Sequence, residues 1–113
     1  MTIQRFDAGP RMSQAVVHNG TVYLAGQVAK GASVREQTTA VLKQIDALLK
    51  QAGTDKTKLL SATIWLTSMA NFSEMNAVWD SWVSPGNTPA RATVEAKLAA
   101  PEYAVEIACV CAV

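Results

Sequence analysis

Pro89-Ala90-Arg91-Ala92-Thr93-Val94-Glu95, followed closely by Val105-Glu106-Ile107, is the stretch on which the reading of this chain turns. Both pieces are short, apolar at alternate positions and carry β-branched residues, so both read as strands. Alternation along a strand turns Arg91, Thr93 and Glu95 one way and Ala92, Val94 and Ala96 the other. The segment Lys97 to Tyr103, with Pro101 inside it, reads as a reversal between the two strands. In a hairpin, Arg91 or Thr93 would lie nearly opposite Glu106, with Cβ atoms roughly 5 Å apart. A guanidinium and a carboxylate would then rise from one patch of sheet, although a slip of one residue reverses the face.

Two readings of that pair stand side by side. A guanidinium presents a planar fork of donors that matches a carboxylate bidentately, and Glu106 could then position a water or carry a proton. The other reading is a structural cross-strand ion pair, which residue type alone favours, because such pairs also place charges on sheets.

The rest of the chain supplies the frame. Ile3 to Asp7 reads as a short edge strand ended by Gly9-Pro10. Gln14 to His18 and Thr21 to Ala25 flank Asn19-Gly20, a hairpin signal, because a type I′ turn needs positive φ at both positions. His18 beside that turn reads as a surface residue. Ser33 and Glu36 match a capping box. Val41, Leu42, Ile45, Leu48 and Leu49 follow at helical spacing, and Gly53 stops a helix spanning about Ser33 to Ala52. Leu59 to Leu66 reads as a strand with Leu60, Ala62, Ile64 and Leu66 on one face and Leu59, Ser61, Thr63 and Trp65 on the other. Asn71 and Glu74 repeat the capping-box pattern. Met75, Val78, Trp79 and Trp82 form an apolar stripe read as core, and Ser84-Pro85-Gly86-Asn87 ends that helix.

The order is therefore strand, hairpin, helix, strand, helix and two strands. Each helix can link parallel strands by a right-handed crossover, which puts both helices on one face of the sheet. Thr63, Trp65, Arg91 and Thr93 make the other face too apolar and too mixed to be fully solvated.

Composition agrees with a covered face. The chain has 113 residues, one domain over 1–113, with 50% hydrophobic and 17% charged, against about 25% charged in soluble proteins generally. Self-association is the expected way to cover apolar surface; a low-charge monomer is the alternative. A formal net charge of +1 gives no strong field for nucleic acid or anionic membrane. No apolar run approaches the ~20 residues of a membrane span, and the N-terminus has no signal-peptide core, so the expected location is cytoplasmic. Cys109 and Cys111 share a strand face and read as small buried apolar residues. With His18 the only histidine, no metal site is expected.

The chain resembles the RidA/YjgF family, the reactive-intermediate deaminases, over nearly its whole length. The matching pieces are Gly9-Pro10 with Ser13-Gln14-Ala15-Val16, Val22-Tyr23-Leu24-Ala25-Gly26-Gln27, Gln37-Thr38 with Val41-Leu42, and Ala52-Gly53. Ala62-Thr63-Ile64-Trp65-Leu66, Asn71-Phe72 with Met75-Asn76, Pro89-Ala90-Arg91 and Val105-Glu106-Ile107 complete them. No single piece is specific; their order and spacing carry the likeness. The resemblance implies a chorismate-mutase-like α+β fold with two helices on one face, and a homotrimer with sites between subunits. It implies hydrolysis of 2-imino or enamine acids, such as 2-iminopropanoate and 2-iminobutanoate, to 2-oxo acids and ammonia without a cofactor.

By the same resemblance Arg91 holds the substrate carboxylate, and Glu106 places the attacking water. Ala25, Gly26 and Gln27 form a turn beside the pocket, and Thr93 contributes a carbonyl and a hydroxyl that can orient water. Where family members commonly have a tyrosine after Gly-Pro, Arg11 and Met12 stand here. Ala25 replaces a frequent serine, Thr93 a frequent cysteine, and Ala108 a frequent acidic residue. The loop from Ala29 to Gly31 is short. These departures point to a divergent, YoaB-like branch. A trimer that binds small carboxylates without turnover, or a chaperone-like trimer, is the alternative function. Endoribonuclease activity is also associated with the family, but the near-neutral charge and lack of a stacking platform give no expectation of nucleic acid.

Overall fold

The computed structural model describes residues 2–113. Six strands form one mixed sheet: β1 (Gln4–Phe6), β2 (Ala15–His18), β3 (Thr21–Leu24), β4 (Leu59–Leu66), β5 (Ala90–Glu95) and β6 (Val105–Ala112), in the order β1-β2-β3-β6-β4-β5. Two helices, α1 (Val34–Gln51) and α2 (Phe72–Trp82), cover one face. This is the chorismate-mutase-like α+β arrangement that the resemblance implies. α1 links β3 to β4, which run parallel with β6 antiparallel between them, and α2 links the parallel pair β4 and β5.

Local signals account for most of these elements. Asn19 and Gly20 take φ of 52° and 73° at the β2–β3 turn, the two positive values a type I′ turn requires. The Ser33 hydroxyl accepts the Glu36 N–H, while the Glu36 carboxylate reaches back to the N–H of Ala32. At the other end of α1 Gly53 has φ of 87°. The N–H groups of Gly53 and Thr54 bond the carbonyls of Lys50 and Leu49, the paired bonds of a Schellman stop.

Leu42, Ile45 and Leu49 of α1 and Met75 and Trp79 of α2 pack onto Ala62, Ile64, Ile107 and Cys109 of the two central strands. Each fully buried large side chain contributes about 1.5–3 kcal/mol of transfer free energy. Cys109 and Cys111 are both buried and free, as expected of structural residues. Burial pushes the Cys109 thiol up to about 12, with Cys111 adding to it. Burial also raises Cys111, which the Thr54 side chain partly offsets.

Four expectations are corrected. First, β5 and β6 are not a hairpin: β4 lies between them, parallel to β5 and antiparallel to β6. Residues 97–104 therefore cross the end of β4 and do not make a tight reversal. Second, Arg91 and Thr93 do not share a face with Thr63 and Trp65. They pair with Ala62 and Ile64, both buried against the helices, while Trp65 pairs with Glu106 on the open face. Third, a register shift between Leu59 and Ser61 makes a bulge at Leu60, so Leu59 is buried and Leu60 is 51% exposed. An extra residue in one strand inverts the alternation before it. Fourth, Asn71 makes no side-chain cap to α2. A 3-10 turn over Met69–Asn71 precedes the helix, and its cap is Ser68, whose hydroxyl accepts the N–H of Ala70.

Candidate functional site

Arg91 sits on β5, an edge strand, and points to the helix side of the sheet. Its guanidinium carbon lies 5.9 Å from the centre of the Phe72 ring and 5.3 Å from that of Trp79. Contacts of this kind contribute about 0.5–2 kcal/mol. They also hold a long side chain in place, so less freedom is lost when an anion binds. β5 runs antiparallel to α2. The Glu95 carboxylate accepts the Met69 N–H at 3.0 Å in the 3-10 turn before the helix, while Arg91 lies beside Phe72 and Trp79 further along. Thr93, between Glu95 and Arg91 on the same face, has a buried hydroxyl with no hydrogen-bond partner.

Asn76 is not among the expected site residues, although Met75-Asn76 is part of the resemblance. It lies between Phe72 and Trp79 at i+4 and i−3 and so on the same stripe of α2. Its Oδ1 is also buried without a partner. The signal for it was the helical spacing Phe72, Asn76, Trp79: a polar residue in an aromatic stripe.

Glu106 lies elsewhere. It is half-buried on the open face of β6, level with Trp65. Its carboxylate crosses Gly26 so closely that a Cβ added there would stand 1.9 Å from Oε2. The closeness comes from a bridge between Gln27 and Ile107, whose backbone N–H groups donate to each other's carbonyls at 2.8 and 3.1 Å. This bridge lays the end of β3 along β6. The Gln27 side-chain amide donates to Gln14 Oε1 at 2.9 Å and to the Ala25 carbonyl at 3.0 Å, and the Ala25 N–H donates to the Gln14 carbonyl. Gln27 and Ala25 are thus engaged in holding the turn. Gly26 is the one of the three whose N–H is not taken up by these bonds.

The expected juxtaposition of Arg91 with Glu106 does not occur within one chain. β5 and β6 are two strand spacings apart, about 10 Å, and Glu106 is level with Val94, about 10 Å along the sheet from Arg91. The two side chains also point to opposite faces. One surface hollow lies between α1 and α2, lined by Lys43, Asp46, Lys56 and Trp82 among others, and another lies at Thr67, Lys97, Pro101 and Tyr103. Neither is lined by Arg91 or Glu106. No group of His, Cys, Asp and Glu suited to a metal ion occurs among the described residues.

A family model described as Endoribonuclease L-PSP matches residues 2–113. The chain is 46% identical over 114 residues to the RutC family protein YoaB of Escherichia coli K12, covering 100% of both. The chain belongs to the RidA/YjgF family. A crystal structure of a YjgF-family protein from Neisseria meningitidis superposes with a TM-score of 0.97 at 49% identity, covering 99% of this chain and 95% of that one. The Reactive Intermediate Deaminase A, chloroplastic, of Arabidopsis thaliana is 30% identical over 106 residues, 87% of this chain and 56% of that protein. Of the departures from the family pattern, Thr93 shares a face of β5 with Arg91, Ala25 adjoins Gly26, and Ala108 stands two residues from Glu106 on β6, opposite Thr63.

Proposed function

We propose that this chain hydrolyses reactive 2-imino acids, or their enamine tautomers, to 2-oxo acids and ammonia. The observation that carries the reading is the Arg91 guanidinium, braced by Phe72 and Trp79 beside two buried oxygens that lack partners. That setting suits a small carboxylate with further polar groups next to it. The kinship with a protein named a reactive intermediate deaminase supplies the chemistry.

The residues divide the work. Arg91 grips the carboxylate bidentately. Water adds to the imine carbon to give a carbinolamine. Glu106 passes one proton of that water to the imine nitrogen as the carbinolamine forms, then carries the hydroxyl proton to the amine as the C–N bond breaks, so that ammonia leaves and the 2-oxo acid forms. Gly26, which has no side chain of its own, lets the substrate approach the Glu106 carboxylate that lies over it, with Ala25 and Gln27 holding the turn. Thr93 offers its hydroxyl to the carboxylate or to the water. Imines hydrolyse unaided, so orientation and proton handling suffice, and no cofactor enters the scheme.

One chain separates Arg91 from Glu106, so the reading requires sites built between copies. A homotrimer, with Arg91 of one subunit facing Glu106 of another, is the assembly proposed. The exposed face of the sheet supports it: Trp65, Val16 and Val110 are half-buried there, Tyr23 is 50% exposed and Val94 46%. Among the described residues no helix is long and apolar enough to cross a membrane.

Sedimentation should give a trimer at micromolar concentration. Generating 2-iminobutanoate or 2-iminopropanoate in situ and following its decay should show acceleration by the protein. A stable monomer would remove the site. Binding of 2-oxobutanoate without faster imine decay would instead make the protein a carboxylate binder.

A further inference from the structure

Two polar atoms in the seam between α2 and β5 have nothing in the chain to bond: Asn76 Oδ1 and Thr93 Oγ1. Most buried side-chain polar atoms in native proteins are paired, so two orphans on facing elements call for an occupant. Their place is fixed by their neighbours. Phe72, Asn76 and Trp79 line one stripe of α2, and the Arg91 guanidinium reaches the two rings that bracket Asn76. Thr93 shares the Arg91 face of β5, next to the paired Ile64. The three groups therefore belong to one polar patch.

Their hydrogen-bonding capacities differ. Arg91 only donates, the Thr93 hydroxyl donates or accepts, and Asn76 Oδ1 only accepts. A carboxylate on Arg91 can take the Thr93 hydroxyl as well. Asn76 Oδ1 then still lacks a donor, and the ligand must supply one next to its carboxylate. A 2-imino acid does so with the N–H on C2. The 2-oxo acid formed from it presents a second acceptor there instead.

We propose that Asn76 is a specificity-determining residue that accepts the substrate's N–H and so favours nitrogen over oxygen at C2. This rests on the deaminase reading and adds a direction to it: the site holds the imine and rejects the product once the nitrogen has left.

Oxamate and pyruvate are suitable stable probes. Each has a carboxylate next to a planar carbonyl carbon, but oxamate carries an NH2 group where pyruvate has a methyl. Calorimetry on the assembled protein should find oxamate bound about tenfold more tightly, the effect of one hydrogen bond gained over an acceptor left unpaired. Asn76→Leu and Asn76→Ala should bring the ratio close to one, mainly by weakening oxamate, and should raise KM for the imine more than they lower kcat. Neither variant needs a buried partner at position 76, and a melting curve on each confirms the fold. The alanine variant guards against overpacking by leucine.

If both variants keep the wild-type ratio while imine turnover persists, the proposal is overturned and the deaminase reading stands. A seam filled by ordered water gives that result. If wild-type protein binds neither acid and leaves imine decay unchanged, both fall together.

Discussion

Arg91 and Glu106 are the two charged groups of the candidate site, and the chain houses them in opposite ways. Arg91 is on an edge strand, on the helix side, braced by two aromatic rings. Glu106 is on an interior strand, on the open side, folded over a glycine that admits it only for want of a Cβ. In the proposed scheme the first setting serves to bind an anion and the second to handle protons, so a mutation in one should leave the other standing.

The largest expected effect is at Arg91. Arg91→Ala should weaken 2-oxobutanoate binding on the order of 100- to 1000-fold, as for removal of one partner of a desolvated charge pair, and should take imine turnover with it. Arg91→Lys keeps the charge but loses the planar fork, so it should also be severely impaired. Calorimetry beside an imine-decay assay reads both. Undiminished 2-oxo acid binding by Arg91→Ala would remove the anchor from the scheme.

Glu106→Gln should break the comparison from the other side. The 2-oxo acid should still bind, while turnover falls about 100-fold or more with the proton-handling group gone. Parallel loss of binding and rate would mean that the two half-sites are not separable.

A smaller effect is expected at Gly26. In Gly26→Ala the new Cβ displaces the Glu106 carboxylate, because 1.9 Å is far inside contact distance. Turnover should drop roughly tenfold, the scale of a displaced general base, with 2-oxo acid binding preserved. A variant with wild-type rates would show that the position of Glu106 is not critical.

The smallest catalytic effect should come from the core between the half-sites. Cys109→Ala with Cys111→Ala should destabilise by about 1–3 kcal/mol and leave turnover unchanged. Cys109 also sets an alkaline limit. Its ordinary pKa is 9.0 and burial raises it to about 12, so between these values the unfolded chain has lost a proton that the folded chain retains. Its contribution is constant below about pH 9 and is lost as pH rises toward about 12. Denaturation midpoints of the parent and the double variant across that window should converge; parallel curves would contradict the assignment.

The elements themselves were legible because their signals are local. Asn19-Gly20 dictates a turn, Ser33 with Glu36 starts a helix, and Gly53 stops it. The eight residues of β4 were bounded correctly by β-propensity. What misled was also local: Asn71 and Glu74 have the right spacing for a cap, but the preceding 3-10 turn gives Asn71 φ of −90° and ψ of 3°, not the extended backbone of an N-cap. The bulge at Leu60 left no trace in the alternation of hydrophobic residues.

For the candidate site, the sequence by itself determined the parts. Arg91 and Thr93 share a face because a strand alternates every second residue, and Cys109 and Cys111 are buried together for the same reason. Only the tertiary structure decided where the parts meet. Adjacent strands in sequence need not be adjacent in the sheet, and the insertion of β4 between β5 and β6 is a long-range choice. It is driven by burial of Ala62, Ile64, Ile107 and Cys109 beneath two helices. The register against β4 then sends Arg91 to the helix side and Glu106 to the open side. The packing of α2 brings Asn76, marked in the sequence only as a polar residue in an aromatic stripe, to the same seam as Arg91.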